Sequence, residues 1–224
     1  MSTRAPSRLA ILISGRGSNM TAIVRACLAG AIAAQPVIVI SDRAEAPGLT
    51  SARELGVPAV AWSRTASGGL AFEQMLADTL EAQRPDLIAL AGFMRVLSAP
   101  LVEHYLGRML NIHPSLLPAY RGLHTHRRVL AAGDMEHGAS VHFVTAELDG
   151  GPVVLQSKVA VRPGDSEATL AARVQATEYV IYPQVLGWLC ERRLTWRTGA
   201  PWLDGQRLDV PLVEDFRAAA IGPA

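Results

Sequence analysis

A chain of 224 residues, half of them apolar and with a net charge of +1, can bury a sizeable core as one large α/β domain or two small ones. So balanced a charge excludes a broad surface for nucleic acid or membrane. Cys27 and Cys190 show no CxxC spacing, which excludes a disulfide framework and fits a reducing cytoplasm.

Taken in order, the chain alternates strand and helix. Arg8 to Ser14 is a continuous apolar run, the pattern of a strand buried on both faces, and is too short for a signal-peptide core or a membrane span. Gly15-Arg16-Gly17-Ser18-Asn19 follows, then a helix to about Ala29. Pro36 to Ile40 reads as a second strand. Gly48 to Leu55 reads as a helix stopped by Gly56, and Val57 to Ala61 as a short third strand. Leu70 to Arg84 is an amphipathic helix closed by Pro85. Leu87 to Ala91 is a fourth buried strand, and Pro100 to Tyr105 a helix leading into a strand that ends at Asn111-Ile112. This pattern predicts a doubly wound, mostly parallel, Rossmann-like sheet.

The second half changes character. His124 to Ala132 reads as a helix ending at Gly133. Ser140 to Thr145 and Pro152 to Val161 read as antiparallel strands joined by Glu147-Leu148-Asp149-Gly150-Gly151. Asp165 or Ser166 caps a long helix reaching about Cys190. Arg193–Arg197 and Gln206–Val210 are expected to form a hairpin around Asp204-Gly205, with an Ala-rich tail fraying after Phe216. One domain over 1–224 is expected, with phosphate binding in about 8–105 and catalysis in about 106–210.

Three stretches carry chemistry. Asn111 and His113 lie two apart at a strand's carboxyl end, so in extended backbone they share a face, and Pro114 stops the strand. A carboxamide N–H can hold an oxyanion and an imidazole can move a proton, which equips this end for acyl transfer. Ser14-Gly15-Arg16-Gly17-Ser18-Asn19 joins the first strand to the first helix. Its glycines let backbone N–H groups approach a phosphomonoester, and Ser18 and Asn19 add side-chain donors. Met20 stands where a dinucleotide fingerprint needs glycine, and the Lys-Ser/Thr pair of a P-loop is missing. The third stretch is Glu147 to Gly151, whose glycines could bring Asp149 back over the sheet. A carboxylate beside an imidazole favours the imidazole's protonated form, but Asp-Gly is also the sequence of a solvated turn. His124, His126, His137 and His142 form no HExxH or Cys/His cluster, so no metal is expected. Glu178 on the long helix reads as an exposed helical glutamate.

Together these pieces resemble phosphoribosylglycinamide formyltransferases, enzymes of purine biosynthesis that use 10-formyltetrahydrofolate. The resemblance runs from about Leu9 to Leu208. It rests on Ile13 to Asn19, Leu90 to Leu97, Asn111 to Pro118, Gly122 to His126, Val141 to Val144 and Glu147 to Pro152. It implies that Gly17, Ser18 and Asn19 hold the phosphate of glycinamide ribonucleotide, with Glu178 near that substrate. It implies that Met94, Arg95, Val96 and Leu97, with Asn111 and the closing loop from Thr145 to Asp149, bind the folate. Asn111, His113 and Asp149 correspond to the catalytic trio. Many members carry an arginine where this chain has Ser67-Gly68-Gly69, with Arg64 a few residues earlier. The resemblance further implies small-molecule substrates, no nucleic acid or membrane partner, and a monomer or homodimer. Formyltetrahydrofolate hydrolases and methionyl-tRNA formyltransferases share the core, with an added N-terminal or basic C-terminal domain respectively; a non-catalytic nucleotide-binding module is the reading from another class.

Overall fold

The computed structural model describes residues 5–62 and 64–218, leaving aside the side chains of 64–70. The first half follows the expected alternation: β1 (Ser7–Ile13), α1 (Ser18–Leu28), β2 (Ala34–Ser41), α2 (Pro47–Glu54), β3 (Ala59–Ala61), α3 (Arg64–Gln83), β4 (Leu87–Leu90), α4 (Ala99–His104) and β5 (Met109–His113). Then come α5 (Thr125–Ala132), β6 (Glu136–Phe143), β7 (Val153–Ala160) and α6 (Glu167–Cys190), and finally β8 (Leu194–Arg197), β9 (Ala200–Leu203), β10 (Gln206–Arg207) and β11 (Leu212–Asp215). Eight strands form one sheet in the order β11-β7-β6-β5-β4-β1-β2-β3. It is mostly parallel. β6 pairs antiparallel with both β5 and β7, and so runs against the other described strands of that sheet.

Period-two alternation explains why the apolar runs sit in the middle. On β1, Leu9, Ile11 and Ile13 belong to the core under α1 and α6, while Ala10 and Leu12 belong to the core under α3 and α4. A strand flanked by helices on both faces has no polar side, so its sequence reads as continuous hydrophobics. The same alternation on β5 sends Leu110 and Ile112 into the first core and Met109 into the second. Asn111 and His113 therefore share the face of Met109, at the strand's carboxyl end. From below, the Tyr182 hydroxyl reaches the carbonyls of Leu90 (3.0 Å) and Leu110 (2.9 Å), tying α6 to the ends of β4 and β5. Ser166 caps α6 reciprocally with Thr169, the second of the two caps expected.

Four expectations change. The α3 helix begins at Arg64, not Leu70. β6 begins at Glu136, not Ser140, because it is buried on both faces and its first half shows no alternation. The small hairpin gains a strand: the chain turns first at Thr198-Gly199, both in the left-handed region, and β9 pairs with β8 on one side and β10 on the other. The expected second arm, Gln206–Val210, shortens to β10. The segment Leu212–Asp215, read as part of no element, adds to the large sheet as a parallel edge strand beside β7. The tail beyond residue 218 lies outside the described residues.

Candidate active site

The loop from Ser14 to Asn19 lines a cavity of about 650 Å³, with Arg43 from the turn after β2, Gly92 and Met94 after β4, Pro114 after β5, and Gln175 and Glu178 from α6. Every contributing strand ends here, as in other open α/β sheets. Gly17 caps α1 in the left-handed conformation (φ 72), and a Cβ on it would stand 2.9 Å from the Cα of Gly48. A Cβ on Gly48 would in turn stand 3.0 Å from the Cα of Gly17, and the Gly48 N–H donates to the Gly15 carbonyl at 3.1 Å. Two glycines back to back thus let α2 brace the loop. The role of Gly48 was not visible in the sequence, because its partner lies across a strand crossover.

Two expectations about this cavity are corrected. Glu178 is not on an exposed helix face: only 7 % of it is accessible, and burial pushes its carboxyl up despite the bond from Asn19. Asn19 does not simply add a donor, since its Nδ2 donates to Glu178 Oε2 at 2.7 Å and its Oδ1 is buried without a protein partner. The two therefore act as a unit that presents acceptors, whereas the backbone at Gly17 and the Ser18 hydroxyl present donors. Ser18 accepts from Gln175 Nε2 at 3.0 Å, leaving its own proton to donate.

The second cluster stands on the other face of β5. Asn111 is paired in register with His142 on β6, and directly opposed residues of an antiparallel pair share a face. Asn111 Nδ2 meets His142 Nε2 at 3.0 Å, while His142 Nδ1 lies 2.9 Å from the Phe143 carbonyl. A carbonyl only accepts, so Nδ1 carries the proton and Nε2 accepts from Asn111. His142 is thereby neutral; burial lowers its pKa to about 4. It orients the carboxamide, leaving the second amide hydrogen of Asn111 unspent. His142 had been set aside as one histidine in an alternating strand; the signal that could have found it is that register.

His113 is also surrounded by acceptors. Its Nε2 lies 3.0 Å from the Tyr120 carbonyl and its Nδ1 3.5 Å from Asp149 Oδ2. Each ring nitrogen therefore faces an acceptor, one a backbone carbonyl and the other a carboxylate. The reading of Asp149 as a solvated turn residue is overturned, since its side chain is 9 % exposed. Its carboxylate accepts from the Gly122 N–H at 2.9 Å and lies 3.9 Å from His142. The loop can return so tightly because Gly151 packs on the Phe143 carbonyl, where a Cβ would come within 1.8 Å.

Beside this cluster, Leu90, Phe93, Arg95, Val96, Leu97, Asn111, His142 and the segment Val144 to Asp149, Thr145 included, line a cavity of about 80 Å³. Small-molecule sites begin near ~300 Å³, so a fused ring enters only if that segment gives way. The Arg95 guanidinium stacks on Phe72 at 4.0 Å, and the Met94 N–H donates to Ser14 Oγ at 2.8 Å. Met94 itself faces the larger cavity. The side chain of Arg64, weighed against the missing arginine near Gly69, lies outside the described residues. His126 and His137 touch at 3.0 Å. Among the described residues no three His, Cys, Asp or Glu side chains gather to hold a metal ion, and no helix is long and apolar enough to cross a membrane.

The buried neutral histidines make acid stability testable. Burial lowers His137, like His142, to about 4. In the unfolded chain both titrate near 6.5, so below that pH the unfolded state binds protons that the folded state refuses. Stability should be whole above about pH 6.5 and fall as pH drops toward 4, by about 1.4 kcal/mol per pH unit for a fully buried histidine such as His142. Denaturant midpoints at pH 7 and 4.5 measure it, and equal midpoints would show that neither ring is held neutral.

The chain matches the family model described as formyl transferase over residues 7–186. It is 51% identical over 201 residues to phosphoribosylglycinamide formyltransferase of Escherichia coli K12, covering 89% of this chain and 95% of that enzyme. The structure of a phosphoribosylglycinamide formyltransferase from Coxiella burnetii superposes with a TM-score of 0.87 at 44% identity, covering 92% of this chain and 99% of that one. A formyltetrahydrofolate deformylase from Pseudomonas syringae pv. tomato superposes with a TM-score of 0.82 over 88% of this chain and 66% of that one; at 21% identity it shows the fold alone. With its family model spanning most of the chain and relatives that match it nearly end to end, this protein belongs to the formyl transferase family.

Proposed function

We propose that this protein transfers the formyl group of 10-formyltetrahydrofolate to the amine of glycinamide ribonucleotide, as a cytoplasmic, single-domain enzyme of purine biosynthesis. The observation that carries the reading is a pair of cavities at the carboxyl end of β5, the larger lined by Ile112 and Pro114 and the smaller by Asn111 and Asp149, with His113 facing Asp149 at 3.5 Å. The larger is lined by Gly17 and Ser18 at the N-terminus of α1, where helix N–H groups form a nest suited to an anion, and the smaller is lined by Arg95, Val96, Leu97 and Thr145. The nucleotide phosphate belongs in that nest, and donor groups of the sugar belong against Asn19 and Glu178. The folate belongs beside the segment from Met94 to Leu97 and under the loop ending at Asp149.

Chemically, the amine nitrogen attacks the formyl carbon, the carbonyl π bond opens onto oxygen, and a tetrahedral intermediate forms. The free amide hydrogen of Asn111 donates to that oxyanion, and the imidazolium of His113 supplies positive charge beside it. Asp149, 3.5 Å from the His113 ring, orders the water through which a proton passes from the attacking amine to N10. The bond from carbon to N10 then breaks and tetrahydrofolate leaves. No covalent enzyme intermediate is required.

The deciding experiment follows folate absorbance with glycinamide ribonucleotide present and absent. Consumption that needs the acceptor is expected. Consumption without acceptor would make the protein a hydrolase, and none in either case, with nucleotide still bound, would make it a binding module. A narrower test is Gly17→Ala. The left-handed backbone and the contact with Gly48 leave no place for the methyl group, and strain of 1–2 kcal/mol should weaken nucleotide binding about tenfold while sparing the folate. Equal losses for both ligands in a folded variant would remove the loop from phosphate binding.

A further inference from the structure

Asp149 sits in the left-handed region (φ 47), which aspartate tolerates better than most residues with a side chain. Two contacts run in parallel from the Tyr120–Leu123 segment to its loop. The Gly122 N–H donates to the Asp149 carboxylate at 2.9 Å, and one residue earlier Arg121 Nη1 pairs with Glu147 Oε1. The Glu147 side chain reaches this partner by folding across Gly150: a Cβ there would stand 2.3 Å from Glu147 Cδ. The second glycine of the motif thus has a use separate from the tight approach at Gly151, which is to clear a path for a carboxylate.

The Arg121 side of the contact is anchored independently. Its carbonyl accepts from Arg128 Nη1 at 2.7 Å, the Arg128 guanidinium lies 5.2 Å from the centre of the Tyr120 ring, and the Tyr120 hydroxyl donates to Asp134 at 2.5 Å. One wall is therefore fixed from α5, and the loop that carries Asp149 hangs on it. The same loop closes the 80 Å³ cavity, so it has to leave this position for a ring to enter and return to it for Asp149 to face His113.

We propose that Arg121 and Glu147 form a charge clasp that returns the loop to the closed position and sets Asp149 over His113. The proposal rests on the formyl-transfer reading above. Neither residue needs to touch substrate; both are positioning residues. Their side chains are 40% and 65% exposed, so the pair contributes little to global stability, and its effect is concentrated on one loop.

The test uses Arg121→Gln, Glu147→Gln and the exchanged pair Arg121→Glu with Glu147→Arg, assayed with both substrates saturating. Hydrogen exchange at the Gly122 amide, which reports the bond to Asp149 directly, is followed in parallel. Each single variant should lower kcat by roughly two- to fivefold, the rate equivalent of an exposed ion pair, with smaller changes in either KM and faster exchange at Gly122. The exchanged pair should recover at least half of both losses. A through-space charge effect on the cluster predicts the reverse pattern: one variant removes a cation and the other an anion, so kcat would move in opposite directions. That outcome overturns the clasp, as does unchanged exchange at Gly122 in both singles. If the wild-type protein transfers no formyl group, the functional reading falls by itself, and exchange at Gly122 still decides whether the clasp exists.

Discussion

Replacing Asn111 or His113 by alanine should each cost roughly 10²–10³ in kcat while both substrates still bind, the usual loss when an oxyanion donor is removed. The geometry makes the two losses unequal in kind. Asn111→Ala removes the amide hydrogen proposed to donate to the oxyanion and also strips His142 Nε2 of its donor, 3.0 Å away in the wild type. His113→Ala removes the imidazolium that faces Asp149 at 3.5 Å and the Tyr120 carbonyl at 3.0 Å. Because both groups are proposed to serve one intermediate, the double variant should lose less than the product of the single effects. Single-turnover kinetics with saturating substrates separates the chemical step from binding. Turnover near wild type in a folded His113→Ala protein would take His113 out of the mechanism.

Asp149→Asn isolates charge from shape. Asparagine tolerates the left-handed backbone as well as aspartate does, and its side-chain oxygen can still accept from the Gly122 N–H, so the loop should keep its course. What goes is the negative charge beside His113. Under the role proposed for Asp149, kcat should fall by roughly 10²-fold while both substrates still bind, because the group that orders the proton-carrying water is lost. Single-turnover kinetics with saturating substrates measures it, and a rate near wild type in a folded variant would leave Asp149 a purely structural part of the loop.

The central strands were legible because a strand covered by helices on both sides has to be apolar throughout, and β1 and β4 are. The pairing of Asn111 with His113 was legible because strand geometry alone puts residues two apart on one face. What could not be read are relations between distant segments. His142 meets Asn111 through a register that no local pattern encodes. Glu178 looked solvent-facing because helical spacing does not say which side of α6 meets the Ser14–Asn19 loop. The loop motif Glu147 to Gly151 was equally compatible with a free turn, and the resemblance, not its own residues, pointed Asp149 inward. The C-terminal strands were misplaced because Pro201 and Trp202 broke the expected alternation and Asp204-Gly205 offered a stronger turn than Thr198-Gly199.

Open sheets are exposed at both rims, where unpaired N–H and C=O groups can template pairing with a second copy. Here the two rims are blunted by different means. β3 has only three residues, Ala59 to Ala61, too few to seat another strand. β11 is longer, but its outer half carries Glu214, bonded to Gln184, and Asp215, bonded to Arg217, which also pairs with Glu136. A neighbouring copy approaching that rim meets acidic groups already engaged with its own chain. The last four-residue strand therefore closes a highly apolar sheet with a charged rim, an edge that disfavours pairing with a second copy.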